Sequence, residues 1–317
     1  MVKLSRDDIY IISQNSNWSA KGVQSILKQN IYSSPTSWQQ FLRLFFLSLG
    51  IGFATFGVLF FFAYNWADLH KFVKLGLMEG LIIITTFVVL FSKFNDLIKN
   101  LALTSASILV GVLFAVFGQI YQTGANAYDF FLGWTLFISL WVLISNFAPL
   151  WLIYLTLINT TLVLYSQQVA QDWSGVFIST LLLLVNSLFF IFFIVGFKKI
   201  TKISFPKWFF YTIALAAIFS ATIGIVIGIF SKFDISFWTL FVLTSILYAS
   251  AVWYSLQINT TFYLAIIAFS LVVIITSFLI KIFKSDASYL IVTLFIIGSI
   301  TFSIKLLLDL QKKWTNG

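Results

Sequence analysis

Seven residues of this chain combine polar chemistry with a place beside or inside long apolar runs. They are Asn65, Trp66, Glu79, Gln119, Tyr121, Gln122 and Asp129. Glu79 is the only glutamate of the chain, and it interrupts an apolar run. An acid in such a place can carry a proton or pair with a cation, and it is a functional candidate by default. The amides and the phenol can hydrogen-bond a solute, and Asp129 can serve as an acid or a base. Familiar catalytic sets are missing. There is no GxxxxGK[ST] phosphate loop, no HExxH and no cysteine. One histidine, His70, makes a His-ligated metal or haem site a poor fit, and no metal or cofactor is expected. A Ser–His hydrolase would have to use His70 beside Asp68, with nothing to position a nucleophile. An aspartyl site needs two acids at depth, and only Glu79 is there. No catalytic residue is therefore assigned.

The stretch that must position these groups is Gly111–Trp134, GVLFAVFGQIYQTGANAYDFFLGW. An apolar, helix-like run ends in the polar segment Gly118-Gln119-Ile120-Tyr121-Gln122-Thr123-Gly124. A second apolar run begins at Phe130, after Asp129. Polar groups with glycines between two hydrophobic spans mark a site or a structural joint at a membrane boundary.

The chain has 317 residues, 60% hydrophobic and only 9% charged, where a soluble protein carries about a quarter charged residues. No water-soluble fold hides so much apolar surface, and the runs are continuous where a β-barrel would alternate. The expected fold class is all-α, a polytopic transmembrane helical bundle with a short amphipathic N-terminal helical hairpin. Uncharged runs place spans at 44–67, 75–92 (interrupted by Glu79), 100–128, 173–197, 208–231 and 287–304. The runs 130–171 and 235–280 are each too long for one span of about 20 residues. They are split at Asn146–Pro149 and near Gln257-Ile258-Asn259, giving ten spans. Three regions follow: a cytoplasmic helical hairpin over 1–41, five spans over 42–168 and five over 169–317. In the hairpin, Ser5 can cap a helix with Asp7 and Asp8 in its first turn and an Ile9/Ile12 stripe. Ser19 can cap a second helix with Val23, Ile26 and Leu27 on one face. No secretory signal precedes the first span, which is itself the expected targeting element.

Charge sets the orientation. The side holding both termini collects fourteen basic and four acidic residues, net +10; the other collects five basic and six acidic, net −1. Both termini are expected in the cytoplasm. Asp68, Asp129, Asp172, Asp234 and Asp286 fall one in each outer connection. The chain's +9 is thus a topology signal beside lipid, and nucleic acid is not an expected partner. Trp66, Trp134, Trp173 and Trp238 fall at outer ends and Trp38, Trp151, Trp208 and Trp314 at inner ends, as an interfacial belt would.

Glu79 lies about seven residues inside its span, roughly 10 Å deep. Gly76, Gly80, Ile83 and Thr86 lie on nearly its helical face, and a face of small and polar residues is expected to point into the bundle. A structural role competes with the functional one: Glu79 can be protonated, paired with Lys74, or held by Gln119 or Tyr121. Gln119 and Tyr121 are expected to end the third span helix and to hydrogen-bond neighbouring helix ends, with Asn65 the preferred partner. Asn159 and Asn186, near the middle of two consecutive spans, suit an interhelical amide pair, and Gly224/Gly228 a close helix contact within the monomer. Gly57-Val58-Leu59-Phe60 echoes Gly111-Val112-Leu113-Phe114, which would fit a parallel repeat of helix pairs.

The pieces Tyr64-Asn65-Trp66, Gly118 to Gly124 with its Gln-Ile-Tyr-Gln, and Trp134 opening the next span make residues 5–165 resemble a family. It is the family of predicted bacterial membrane proteins catalogued as domain of unknown function 2157. The polar region before the first span is also similar; residues 170–317 resemble nothing beyond further spans. The resemblance implies the bacterial inner membrane and no established activity. It also implies a partner, since members look to be encoded beside other uncharacterised membrane proteins, one with a GDYxxLxY motif.

Together these readings lead to one expectation: an integral inner-membrane protein, surrounded by the lipid bilayer, acting as a non-enzymatic component of a membrane or envelope complex with another membrane protein. Two alternatives stay open. One is a small-solute or proton transporter or channel using Glu79 with Gln119 and Tyr121. The other is a membrane enzyme with an outward-facing acid site at Asp129 or Asp68.

Overall fold

Continuous apolar runs bounded by capping residues become helices, because a chain in lipid must satisfy every backbone group internally. The computed structural model describes residues 9, 12–30, 35–64, 69–121, 124–197, 205–283 and 287–316. Its helices are α1 (Ala20–Asn30), α2 (Pro35–Tyr64), α3 (Lys71–Phe91), α4 (Asp96–Tyr121), α5 (Ala127–Ile144), α6 (Ala148–Gln168), α7 (Gly175–Ile191), α8 (Lys207–Phe230), α9 (Ile235–Gln257), α10 (Thr261–Ile282) and α11 (Ala287–Asn316). A π-helical turn, Phe192–Phe197, continues α7. Among the described residues, ten helices, α2 to α11, are long and apolar enough to cross a membrane. This is a multi-pass, all-α membrane protein.

Both proposed splits fall where expected. The first lies between α5 and α6, where the Trp151 indole N–H donates to the Ser145 carbonyl at 3.2 Å. The second lies between α9 and α10, where Asn259 takes φ 50°. Ser19 Oγ accepts the Gly22 N–H at 3.2 Å and starts α1, whose Val23, Ile26 and Leu27 are half-buried. The first span differs from expectation. Its helix begins at Pro35, inside the stretch assigned to the hairpin, because proline suits a first helical position. Ser5, Asp7 and Asp8 lie outside the described residues; Ile9 is buried and Ile12 exposed.

The contacts divide the chain into two compact units, Met1–Lys74 with Ile84–Ser105, and Leu75–Ile83 with Ala106–Gly317. In the first, the buried Thr55 of α2 joins Ser105 of α4 through a hydroxyl–hydroxyl hydrogen bond of 2.6 Å.

The second unit is organised around α8. Half of the residues along its apolar stretch are buried, against 6% along α11. Helices α7, α9 and α10 pack on it. Lipid tails are as apolar as leucine, so helices associate in a membrane through close packing and interhelical hydrogen bonds. The α8 seam uses both. A Cβ on Gly224 would stand 2.4 Å from Ser179 Cβ and 2.5 Å from Leu240 Cδ2; one on Gly228 would stand 2.3 Å from Phe237 Cδ2. The GxxxG pair is therefore filled by α7 and α9 of the same chain, as expected. Asn159 and Asn186 form the anticipated amide pair between α6 and α7, each amide donating to the other at 3.1 Å. A hydroxyl chain was not anticipated: Thr222 of α8 meets Ser270 of α10 at 2.6 Å, and Ser270 meets Tyr248 of α9.

Two helix ends in this unit are closed by charge. Asp234 Oδ1 accepts the Phe237 N–H at 2.9 Å at the start of α9. At the end of α8, Lys281 of α10 donates to the Ile229 carbonyl with its ammonium 4.2 Å from the Phe233 ring. Anions suit helix starts and cations helix ends.

Candidate functional site

The Gly111–Trp134 stretch folds back on itself, and its two ends touch. Asn95 Oδ1 accepts the Ile98 N–H at 3.0 Å and starts α4. The helix runs to Tyr121, as expected, and Gly124 then takes φ +63°, a left-handed backbone suited to glycine. The α5 start carries a capping box in which Asp129 Oδ2 accepts the Asn126 N–H at 3.1 Å. Gln168, at the end of α6, supplies a further acceptor to the Tyr128 N–H at 3.0 Å. Along the hairpin the helices interlock. The Trp134 indole covers Gly111, where a Cβ would come within 2.6 Å, and its N–H donates to the Ser107 carbonyl at 2.7 Å. In return Phe114 covers Gly133, with 3.0 Å to a Cβ there.

This geometry corrects the tryptophan belt. Trp134, half-buried, and Trp151, buried, turn inward, whereas Trp173 and Trp314 are half-buried and Trp38, Trp208 and Trp238 exposed. A position near a span end does not fix which way an indole points. Gly57, the counterpart of Gly111 in the four-residue echo, has nothing within 4 Å of a Cβ among the described residues, whereas Gly111 lies under Trp134.

Two cavities border the hairpin, both within the second unit. The first, about 410 Å³, is lined by Leu75, Glu79, Ile82 and Ile83 of α3, by Val110, Leu113, Phe114 and Phe117 of α4, and by Phe137 and Trp141 of α5. The second, about 590 Å³, is lined by residues that include Gln119, Gly124 and Asp129. Phe114 and Phe117 belong to both linings. Phe114 and Phe137 meet edge to face at 5.3 Å, and Phe117 and Tyr121 meet at 4.6 Å.

Of the seven residues singled out by type, Asn65, Trp66 and Gln122 lie outside the described residues, so the preferred Asn65 partnership does as well. Glu79 is exposed and lines the first cavity; among the described residues its carboxylate has no hydrogen bond or ion pair. Gln119 and Asp129 line the second cavity. Gln119 and Tyr121 are exposed, and among the described residues their side chains make no hydrogen bond. Asp129 is engaged in its cap. On the face expected to point into the bundle, Gly76, Glu79 and Ile83 are exposed and Gly80 and Thr86 half-buried, with Glu79 and Ile83 lining the first cavity. Glycine has no side chain with which to choose a neighbour, so its presence alone does not turn a face inward. His70 accepts the Phe72 N–H at 3.4 Å and caps α3.

Sequence reasoning passed over Ser107, Gly133 and Gln168. The first acts through its backbone carbonyl, which no residue type announces. Gln168 carried a signal, an amide near the end of an apolar run.

The family model described as predicted membrane protein (DUF2157) matches residues 19–151, from just before α1 to the first turn of α6. The match contains the whole interlocked hairpin and Glu79, and leaves the α8 seam outside. No curated protein and no solved structure matches the chain.

Proposed function

We propose that this protein sits in the bacterial inner membrane with both termini in the cytoplasm and works as a non-enzymatic component of a membrane assembly, docking another membrane protein along α3. The orientation is supported by the charge asymmetry of the connections. The docking is supported by one observation: among the described residues nothing lies within 4 Å of a Cβ placed on Gly76 or Gly80. These residues form the chain's other GxxxG pair, a motif that lets a neighbouring helix approach closely, as the side chains of α7 and α9 approach Gly224 and Gly228. Mild extraction of native membranes tests this by complex size. The parent chain runs in a species larger than the monomer, and Gly76→Leu/Gly80→Leu releases the monomer with its thermal unfolding unchanged. A parent that is monomeric in native lipid, or a double variant that keeps the larger species, overturns the reading. For topology, reporter fusions after Ala125 and after Ile203 report opposite sides, Ala125 outside.

A second reading, transport of a small solute or proton by Glu79 with Gln119 and Tyr121, is favoured by the two cavities and their shared Phe114–Phe117 wall. Proteoliposomes report it as a flux that Glu79→Gln abolishes and that is absent from empty vesicles. An enzymatic role for Asp129 has less support, because that carboxylate caps α5.

A further inference from the structure

We propose that the Glu79 cavity is a binding site for a lipophilic organic cation, a bulky quaternary ammonium or phosphonium species taken up from the membrane. The size fits: about 410 Å³ lies within the range of pockets that hold small organic molecules, roughly 300–1,000 Å³. The lining narrows the chemistry. Four aromatic residues, Phe114, Phe117, Phe137 and Trp141, line the cavity together with one acid, Glu79, and the remaining wall is aliphatic.

Each competing ligand class meets a specific obstacle. A bare divalent cation takes six or more oxygen ligands, or keeps its waters, and this wall offers one carboxylate. An anion would meet the Glu79 charge with no cation in the lining. A neutral apolar molecule would leave the carboxylate unpaired in apolar surroundings, which is costly. A bulky organic cation meets both demands at once. Its charge pairs with Glu79, and its apolar groups lie on aromatic faces that themselves attract cations.

Lys74 does not already fill this role. It lies five residues before Glu79, about 140° around the helix, and it does not line the cavity. Glu79 is eight residues into α3, roughly 12 Å along the axis. That depth is reached from lipid more readily than from water, and the exposure of Glu79 and Ile83 leaves that side of the cavity open.

The site shares its α3 face with the docking strip, and its test uses the purified full-length chain alone, so loss of a partner cannot imitate loss of the ligand. Equilibrium dialysis in detergent compares tetraphenylphosphonium with tetraphenylborate, which has nearly the same shape and the opposite charge. The parent chain holds the cation at one saturable site and does not hold the anion there. Glu79→Gln weakens cation binding at least tenfold. Phe137→Leu, which keeps bulk and removes a ring, weakens it severalfold. Equal retention of cation and anion by the parent overturns the proposal, as does a Glu79→Gln chain that binds the cation as tightly as the parent. Should Glu79→Gln not yield monodisperse protein, the parent's preference for cation over anion and the loss in Phe137→Leu decide the matter.

Discussion

The chain carries the same four-residue spacing of glycines on α3 and on α8, and the two pairs have opposite surroundings. On α8, Gly224 and Gly228 lie under Ser179, Leu240 and Phe237, so closely that no Cβ fits. On α3, a Cβ on Gly76 or Gly80 would meet nothing within 4 Å among the described residues. The motif supplies a flat backbone strip; whether it is used depends on bulky residues elsewhere. The α8 pair sits in the region outside the family match, packed by its own neighbours and by buried amides and hydroxyls. The α3 pair sits in the matched region, beside an acid that has no partner among the described residues and an aromatic cavity.

The largest effect is expected at the filled pair. Gly224→Leu overpacks the seam and lowers stability by about 1–3 kcal/mol or more, read from reversible unfolding in mixed micelles. Gly76→Leu leaves the same measurement unchanged. Equal losses at the two positions would erase the contrast. Alanine sharpens it, since helix propensity favours alanine over glycine by up to about 1 kcal/mol. Gly76→Ala is then neutral or stabilising, while Gly228→Ala destabilises because the new methyl meets Phe237.

The hairpin of α4 and α5 should respond less, because one contact is removed at a time. Trp134→Phe keeps a ring over Gly111 and loses the hydrogen bond to the Ser107 carbonyl, costing about 0.5–1.5 kcal/mol. No loss would place the weight of this joint on ring packing alone.

A comparable cost, about 0.6–1.7 kcal/mol, is expected for Asn159→Leu, which leaves Asn186 without its partner amide. Asn159→Leu/Asn186→Leu should cost less than the two single changes added together. Strict additivity in that double-mutant cycle would mean that the pair is not coupled.

The smallest effect belongs to Glu79. Exposed and without a partner among the described residues, it gives a Glu79→Gln variant that unfolds within about 0.5 kcal/mol of the parent, while Glu79→Leu is neutral or stabilising because it removes an acid from apolar surroundings. A clear loss in Glu79→Leu alone would show that the carboxylate holds the bundle together.

Much of this protein was legible in its sequence. Hydropathy and length delimit ten spans because lipid admits only backbone that satisfies itself. The turns at Asn146–Pro149 and Asn259 were found because turn residues broke uncharged runs longer than one span. Asn159 and Asn186 could be paired from sequence because two amides at matching depth have few other partners in an apolar chain. Tertiary structure decided the rest. It turned Trp134 and Trp151 inward, engaged Asp129 in a cap, joined Thr222, Ser270 and Tyr248, and filled one glycine pair while leaving the other open. Glycines, hydroxyls and indoles near span ends are each compatible with more than one neighbour, and only the packing of other helices selects among them. Sequence sets what each helix can offer; the close approach that uses it is a property of two surfaces at once.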